Sequence, residues 1–206
     1  MTRKRPGAAV AAVVAVVAVT VLAACTAESA PATTPATSSS PPASISAPMM
    51  TTAGQSPEQV AQEQAREMVA KYYHDSDRGL YDPSQTSEEF FKESSTGTAL
   101  VENINALNSA KTQGIHLTGE TKLKSVTHVK TDLAKDPKSS PPTIPYVQFM
   151  VCYDVSSVNV VDKDGKSVVP ASRKPTGLRL LGVVNYEYPN PDGWRVGYVQ
   201  PKRDKC

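Results

Sequence analysis

From Thr26 to Gln55 the chain is written almost entirely in Ala, Ser, Thr and Pro, including Ala30-Pro31-Ala32-Thr33-Thr34-Pro35 and Ser38-Ser39-Ser40-Pro41-Pro42. Its one charge is Glu28 and it has no aromatic side chain, so it carries too little apolar surface to offset the entropy of ordering. The tract thus separates a short leader from the part of these 206 residues able to form a globular domain, the chain beyond Gln55. Residues 56–206 suffice for one domain of ordinary size. The tract itself predicts a spacer, about 90 Å long in extended polyproline form and about 30 Å as a flexible coil.

Ahead of the tract, the basic run Arg3-Lys4-Arg5 precedes an uncharged apolar stretch from Ala8 to Val21. Basic then apolar is the order of a secretory signal peptide. The uncharged run from Pro6 to Cys25 is also long enough to span a bilayer, so a retained span and free secretion are the alternatives. Leu22-Ala23-Ala24-Cys25 resembles the bacterial lipobox. The resemblance implies cleavage between Ala24 and Cys25, a diacylglycerol on the Cys25 sulfur and an acylated new amine, with chains of the palmitate type. Two or three such chains, at about 0.8 kcal/mol per buried methylene, hold a soluble domain at a membrane. The expected organisation is a signal peptide over 1–24, a lipidated cysteine and tether over 25–55, and a domain over 56–206. The expected location is the extracytoplasmic face of the cell membrane.

That processing changes the electrostatics. The formal charge is +2, but removing the three basic residues at 3–5 from the 22 present leaves 19 against 20 acidic residues, a net of −1. Without a positive field, nucleic acid is not an expected partner. Three cysteines occur, Cys25, Cys152 and Cys206. With Cys25 taken by lipid, an even pair remains in a compartment that permits disulfides. A Cys152–Cys206 bridge is expected; the alternative is a buried thiol at Cys152 and an exposed one at Cys206.

Within 56–206 the pattern is helical first. Ser56-Pro57-Glu58-Gln59 marks a capped helix start with Pro at the first position. Val60, Ala61, Ala65, Met68, Val69, Tyr72 and Tyr73 then recur at three- and four-residue steps through about His74. Thr86-Ser87-Glu88-Glu89 reads as a second capping box, before Phe90 and Phe91. A third helix is predicted over Thr98–Thr112, with Leu100, Val101, Ile104 and Leu107 inward and Gly114 as its stop. After Gly114 the period becomes two. Ile115, Leu117, Thr121 and Leu123 alternate with polar residues, and a phase slip predicts a bulge near Lys124–Ser125. Val147 to Val155 is apolar on both faces, as in a central strand. Asp162-Lys163-Asp164-Gly165 is a hairpin turn. Leu178, Leu180, Val184 and Tyr186 mark a third strand, and Trp194, Val196 and Tyr198 a last one. The expected class is α+β: three N-terminal helices on a curved antiparallel sheet of about four strands.

That element order, ending in Gly193-Trp194-Arg195-Val196, resembles the nuclear-transport-factor-2-like superfamily, which includes ketosteroid isomerase and the SnoaL-like cyclases. The resemblance implies a cone-shaped domain. Cys152-Tyr153-Asp154 together with Cys206 resembles exported lipoproteins of high-GC Gram-positive (actinobacterial-type) bacteria, a likeness that implies no activity. Two functions are expected in turn. The first is a non-enzymatic, membrane-anchored binding or scaffold module at the cell envelope, whose partners are an envelope protein or cell-wall component, or a small hydrophobic ligand. The second is a SnoaL- or isomerase-like enzyme acting on a hydrophobic ring compound, which needs a carboxylate or His inside the cone.

Tyr72 and Tyr153 are the candidate ligand contacts. Tyr73, His74 and Asp75 share the end of the first helix, where packing explains them as well. Asp154 alternates away from the apolar face and reads as a structural polar group near the cysteine pair. His74-Asp75-Ser76-Asp77 has no second cluster at ligand spacing, so no metal site is expected. No catalytic residue and no cofactor is assigned, because no phosphate loop, nucleophile elbow or zincin helix occurs.

Overall fold

The structure, a computed structural model, describes residues 54–204 and Cys206. The expectations for the signal peptide, Ala24, Cys25 and nearly all of the tether lie outside the described residues. Helix α1 (Pro57–Arg78) opens as the sequence dictates. Ser56 Oγ accepts from the Gln59 N–H at 3.3 Å, and Gln59 Oε1 accepts from the Ser56 N–H at 2.8 Å. A 3-10 helix comes next at Glu88–Glu93 without a side-chain cap. The box expected at Thr86 does not form, because the Thr86 hydroxyl donates backwards to Asp82 O at 3.0 Å. Helix α2 (Gly97–Gln113) ends on Gly114 in the left-handed conformation.

Among the described residues six strands then make two antiparallel sheets rather than one. Strands β1 (His116–Thr118) and β4 (Asn159–Val161) form a two-stranded ribbon. The larger sheet runs β2 (Lys122–Asp132), β3 (Tyr146–Asp154), β5 (Thr176–Asn185), β6 (Trp194–Lys202) in that order. The long first strand expected from Ile115 onward is split at Gly119, where φ is +77°. There is no room for a side chain at that turn: a Cβ would come within 1.9 Å of Ser157 O. The break frees β1 to pair with β4. Register shifts at Leu123/Ser125, His128/Lys130 and Gly182/Val183 bend the larger sheet.

One face of that sheet holds the core. Val147, Phe149 and Val151 of β3, Leu181 and Val183 of β5 and Val196 of β6 are fully buried, packed with Ala61, Ala65 and Val69 of α1. Strand β3 is internal, as its two apolar faces predict. The inward face of α2 differs from expectation, and that of β5 is set by pairing. On α2, Ala99, Asn103, Leu107 and Ala110 are buried while Val101 is exposed, because small residues let the helix lie close against β6. On β5, the core side is Arg179, Leu181, Val183 and Asn185, and Leu178, Leu180 and Val184 face the other way. Tyr186 stands outside the strand and is exposed. The outer edge of β6 is covered where Thr96 N–H donates to Val196 O and Val196 N–H to Ser94 O, at 2.8 and 3.0 Å. Among the described residues no helix is long and apolar enough to cross a membrane.

Candidate functional site: a tyrosine–arginine cluster

The buried positions of α1 step through Ala61, Ala65 and Val69 to Tyr72 and Tyr73, so helical geometry delivers two aromatic rings to the sheet at its last turns. Tyr153, near the end of β3, meets them there. The Tyr72 ring stands edge-on to Tyr73 at 5.6 Å, and Tyr73 lies 6.0 Å from Tyr153. Tyr73 is thus the link that joins the two candidate contacts into one cluster. Tyr72 and Tyr73 are buried, and Tyr153 is half-buried.

Arg179 completes the cluster from β5. It is on the core side because its register partner is Val151, and its guanidinium lies over the Tyr153 ring at 4.5 Å. The ion pairs among the described residues join Lys71 to Asp75 and Glu93, His74 to Asp75, Lys92 to Glu89 and Lys130 to Asp132, so no carboxylate pairs with Arg179. Burial opposes its charge, but the facing tyrosines outweigh that and raise its pKa. The Tyr73 hydroxyl is buried without a hydrogen-bond partner, and burial pushes its pKa far up against the opposing pull of Arg179. Burial likewise raises Tyr72, opposed by Ser76 and Arg179. Ser76 Oγ donates to Asn103 Oδ1 at 3.1 Å, while Asn103 Nδ2 is buried and unpartnered. The region is rich in donors and short of acceptors.

Tyr153 also borders an open cleft of about 660 Å³, lined further by Lys174, Thr176, Lys202, Arg203, Asp204 and Cys206. On the opposite face of β3, Cys152 is bridged to Cys206 with their Cα atoms 5.4 Å apart, and Cys206 Sγ lies 3.1 Å from Gly177 O. The disulfide therefore fastens the segment after β6 across β5 at the corner where Tyr153 and Arg179 sit.

Three acids of this end are engaged elsewhere, whereas Asp204 lines the cleft. Asp75 accepts from Lys71 Nζ at 2.7 Å. Asp77 accepts from the Thr121 N–H and hydroxyl at 2.6 and 3.0 Å. Burial raises the Asp77 pKa, with those two bonds opposing. Asp154 accepts from the Ser156 N–H at 2.8 Å, and that bonding lowers its pKa. Among the described residues no three His, Cys, Asp or Glu side chains gather as metal ligands. His74 is exposed, and His128 shares a hydrogen bond with Thr131 at 2.8 Å.

Sequence reasoning missed Arg179. Its signal was a lone cation inside Leu178-Arg179-Leu180-Leu181, where the flanking leucines mark a strand but not which of its faces turns inward.

No protein-family model and no curated protein matches the chain. Among solved structures, it is similar to the intermembrane space region of the chloroplast protein ARC6 at 13% identity and a TM-score of 0.45, over 68% of this chain and 95% of that one. A likeness that slight bears on neither fold nor function.

Proposed function

We propose that this chain is a binding module held at the extracytoplasmic face of a membrane by lipid on Cys25, with a nuclear-transport-factor-2-like cone as its folded part. The observation that carries the binding reading is Arg179, a half-buried cation set among three tyrosines and held in no ion pair. Such a cluster offers donors and aromatic faces for recognition and no group suited to take a proton. An isomerase-like enzyme would need its base within the cone. Between α1 and the larger sheet the core is held by Val69, Phe149, Val151 and Leu181, all fully buried, which favours the binding reading over the enzyme. The bends in the larger sheet agree with a cone-like curvature. The Cys152–Cys206 bridge suits an oxidising compartment.

The anchor is tested by fractionating cells that express the full chain or its Cys25→Ala variant. The unaltered protein is expected in the membrane fraction with acylated Cys25, and the variant is expected unprocessed or released. Equal membrane retention of a processed, unacylated form would defeat the lipoprotein reading.

A further inference from the structure

We infer that the Arg179–Tyr73–Tyr153 cluster is a receptor for the carboxylate of an aromatic or otherwise apolar organic acid. This deepens the binding reading above and rests on it. Tyr153 covers one face of the guanidinium, which leaves the edges of the planar fork to form two parallel bonds with an oxyanion. The Tyr73 hydroxyl is buried beside that guanidinium, close enough for each to act on the other, and its proton has no acceptor. A buried polar group of that kind costs stability unless something bonds to it. A carboxylate supplies what the cluster lacks, two acceptor oxygens and one negative charge against the one positive charge of Arg179.

The ligand body is specified by what surrounds the charge. Tyr72, Tyr73 and Tyr153 present ring faces and edges, which favour a flat apolar group beside the carboxylate. A phosphate dianion fits less well, because within the cluster itself Arg179 is the one cation. Entry is by the cleft that Tyr153 borders.

Benzoate is the direct probe, titrated into the full-length protein in detergent micelles with 15N-labelled arginine. The Arg179 Nε–Hε resonance is expected to shift and saturate, while inorganic phosphate binds at least about tenfold more weakly. Tyr73→Phe is expected to weaken benzoate about tenfold, and Arg179→Lys, which keeps the charge but loses the fork, by at least as much. Three results would overturn the assignment. These are no saturable shift at Arg179, benzoate affinity in both variants equal to that of the natural protein, or phosphate binding as tight as benzoate. None of these depends on Cys25, so membrane anchoring stands or falls separately. A benzoate failure with a different ligand captured through Arg179 would leave the binding reading intact and remove only the carboxylate.

Discussion

Tyr153 lies directly across its β-sheet partner Gly177, so closely that a Cβ on the glycine would come within 2.4 Å of the tyrosine hydroxyl and 2.5 Å of its ring. The missing side chain is what allows the ring to lie flat along the strand and carry the guanidinium of Arg179. Gly177→Ala must push the ring aside. We expect a loss of about 1–3 kcal/mol, the usual cost of overpacking, seen as a lower denaturant midpoint at constant slope. An unchanged midpoint would show that the ring moves without penalty.

Removing the stranded hydroxyl should have the opposite effect on stability. Tyr73→Phe keeps the ring and deletes an unpartnered buried oxygen. The ligand-free variant is expected to gain about 1 kcal/mol. Chemical denaturation of both proteins measures it, and a clear loss would reveal a partner for that hydroxyl in the folded protein.

The disulfide closes a loop with a sequence separation of 54. The chain-entropy account gives such a closure about 4 kcal/mol. Cys206→Ser is expected to cost about that amount and to abolish the response of stability to reductant. If the oxidised natural protein and the variant unfold at the same denaturant concentration, the bridge contributes nothing.

Asp77 sets a pH dependence. Burial raises its folded pKa above the ordinary 3.8, against the pull of its Thr121 bonds. The folded state therefore binds this proton more tightly than the unfolded chain. Its contribution is fully present below the unfolded value and is lost as pH rises through the folded one. The unfolding free energy of the natural protein minus that of Asp77→Asn should accordingly fall with rising pH across the acid range. A difference that grows instead would reverse the sign of the shift.

Most of the scaffold was legible because it rests on local signals. Ser56 and Gln59 cap α1, Gly114 stops α2, and the phase slip at Lys124–Ser125 falls at an observed register shift. What was not legible depends on partners far away in the chain. Gly119 passes unnoticed inside the alternating run from Ile115 until Ser157 comes against it, and only that approach divides the sheet in two. The inward phase of β5 is set by pairing with Val151 and Phe149, not by its own leucines, since both of its faces are at least half-buried. Tyr72 and Tyr153 could be chosen as aromatic residues near element ends. Their union through Tyr73, and the cation laid upon it, required three-dimensional pairing.

Helix α1 has one more implication. Its first residue receives the chain from the preceding segment, and Tyr73 comes about 24 Å further along its axis at 1.5 Å per residue. The entry point of the chain and the tyrosine cluster thus sit toward opposite poles of one stiff strut. For the anchored binding module proposed above, insertions or deletions ahead of Ser56 should alter reach while leaving selectivity untouched, so the two can drift independently in evolution.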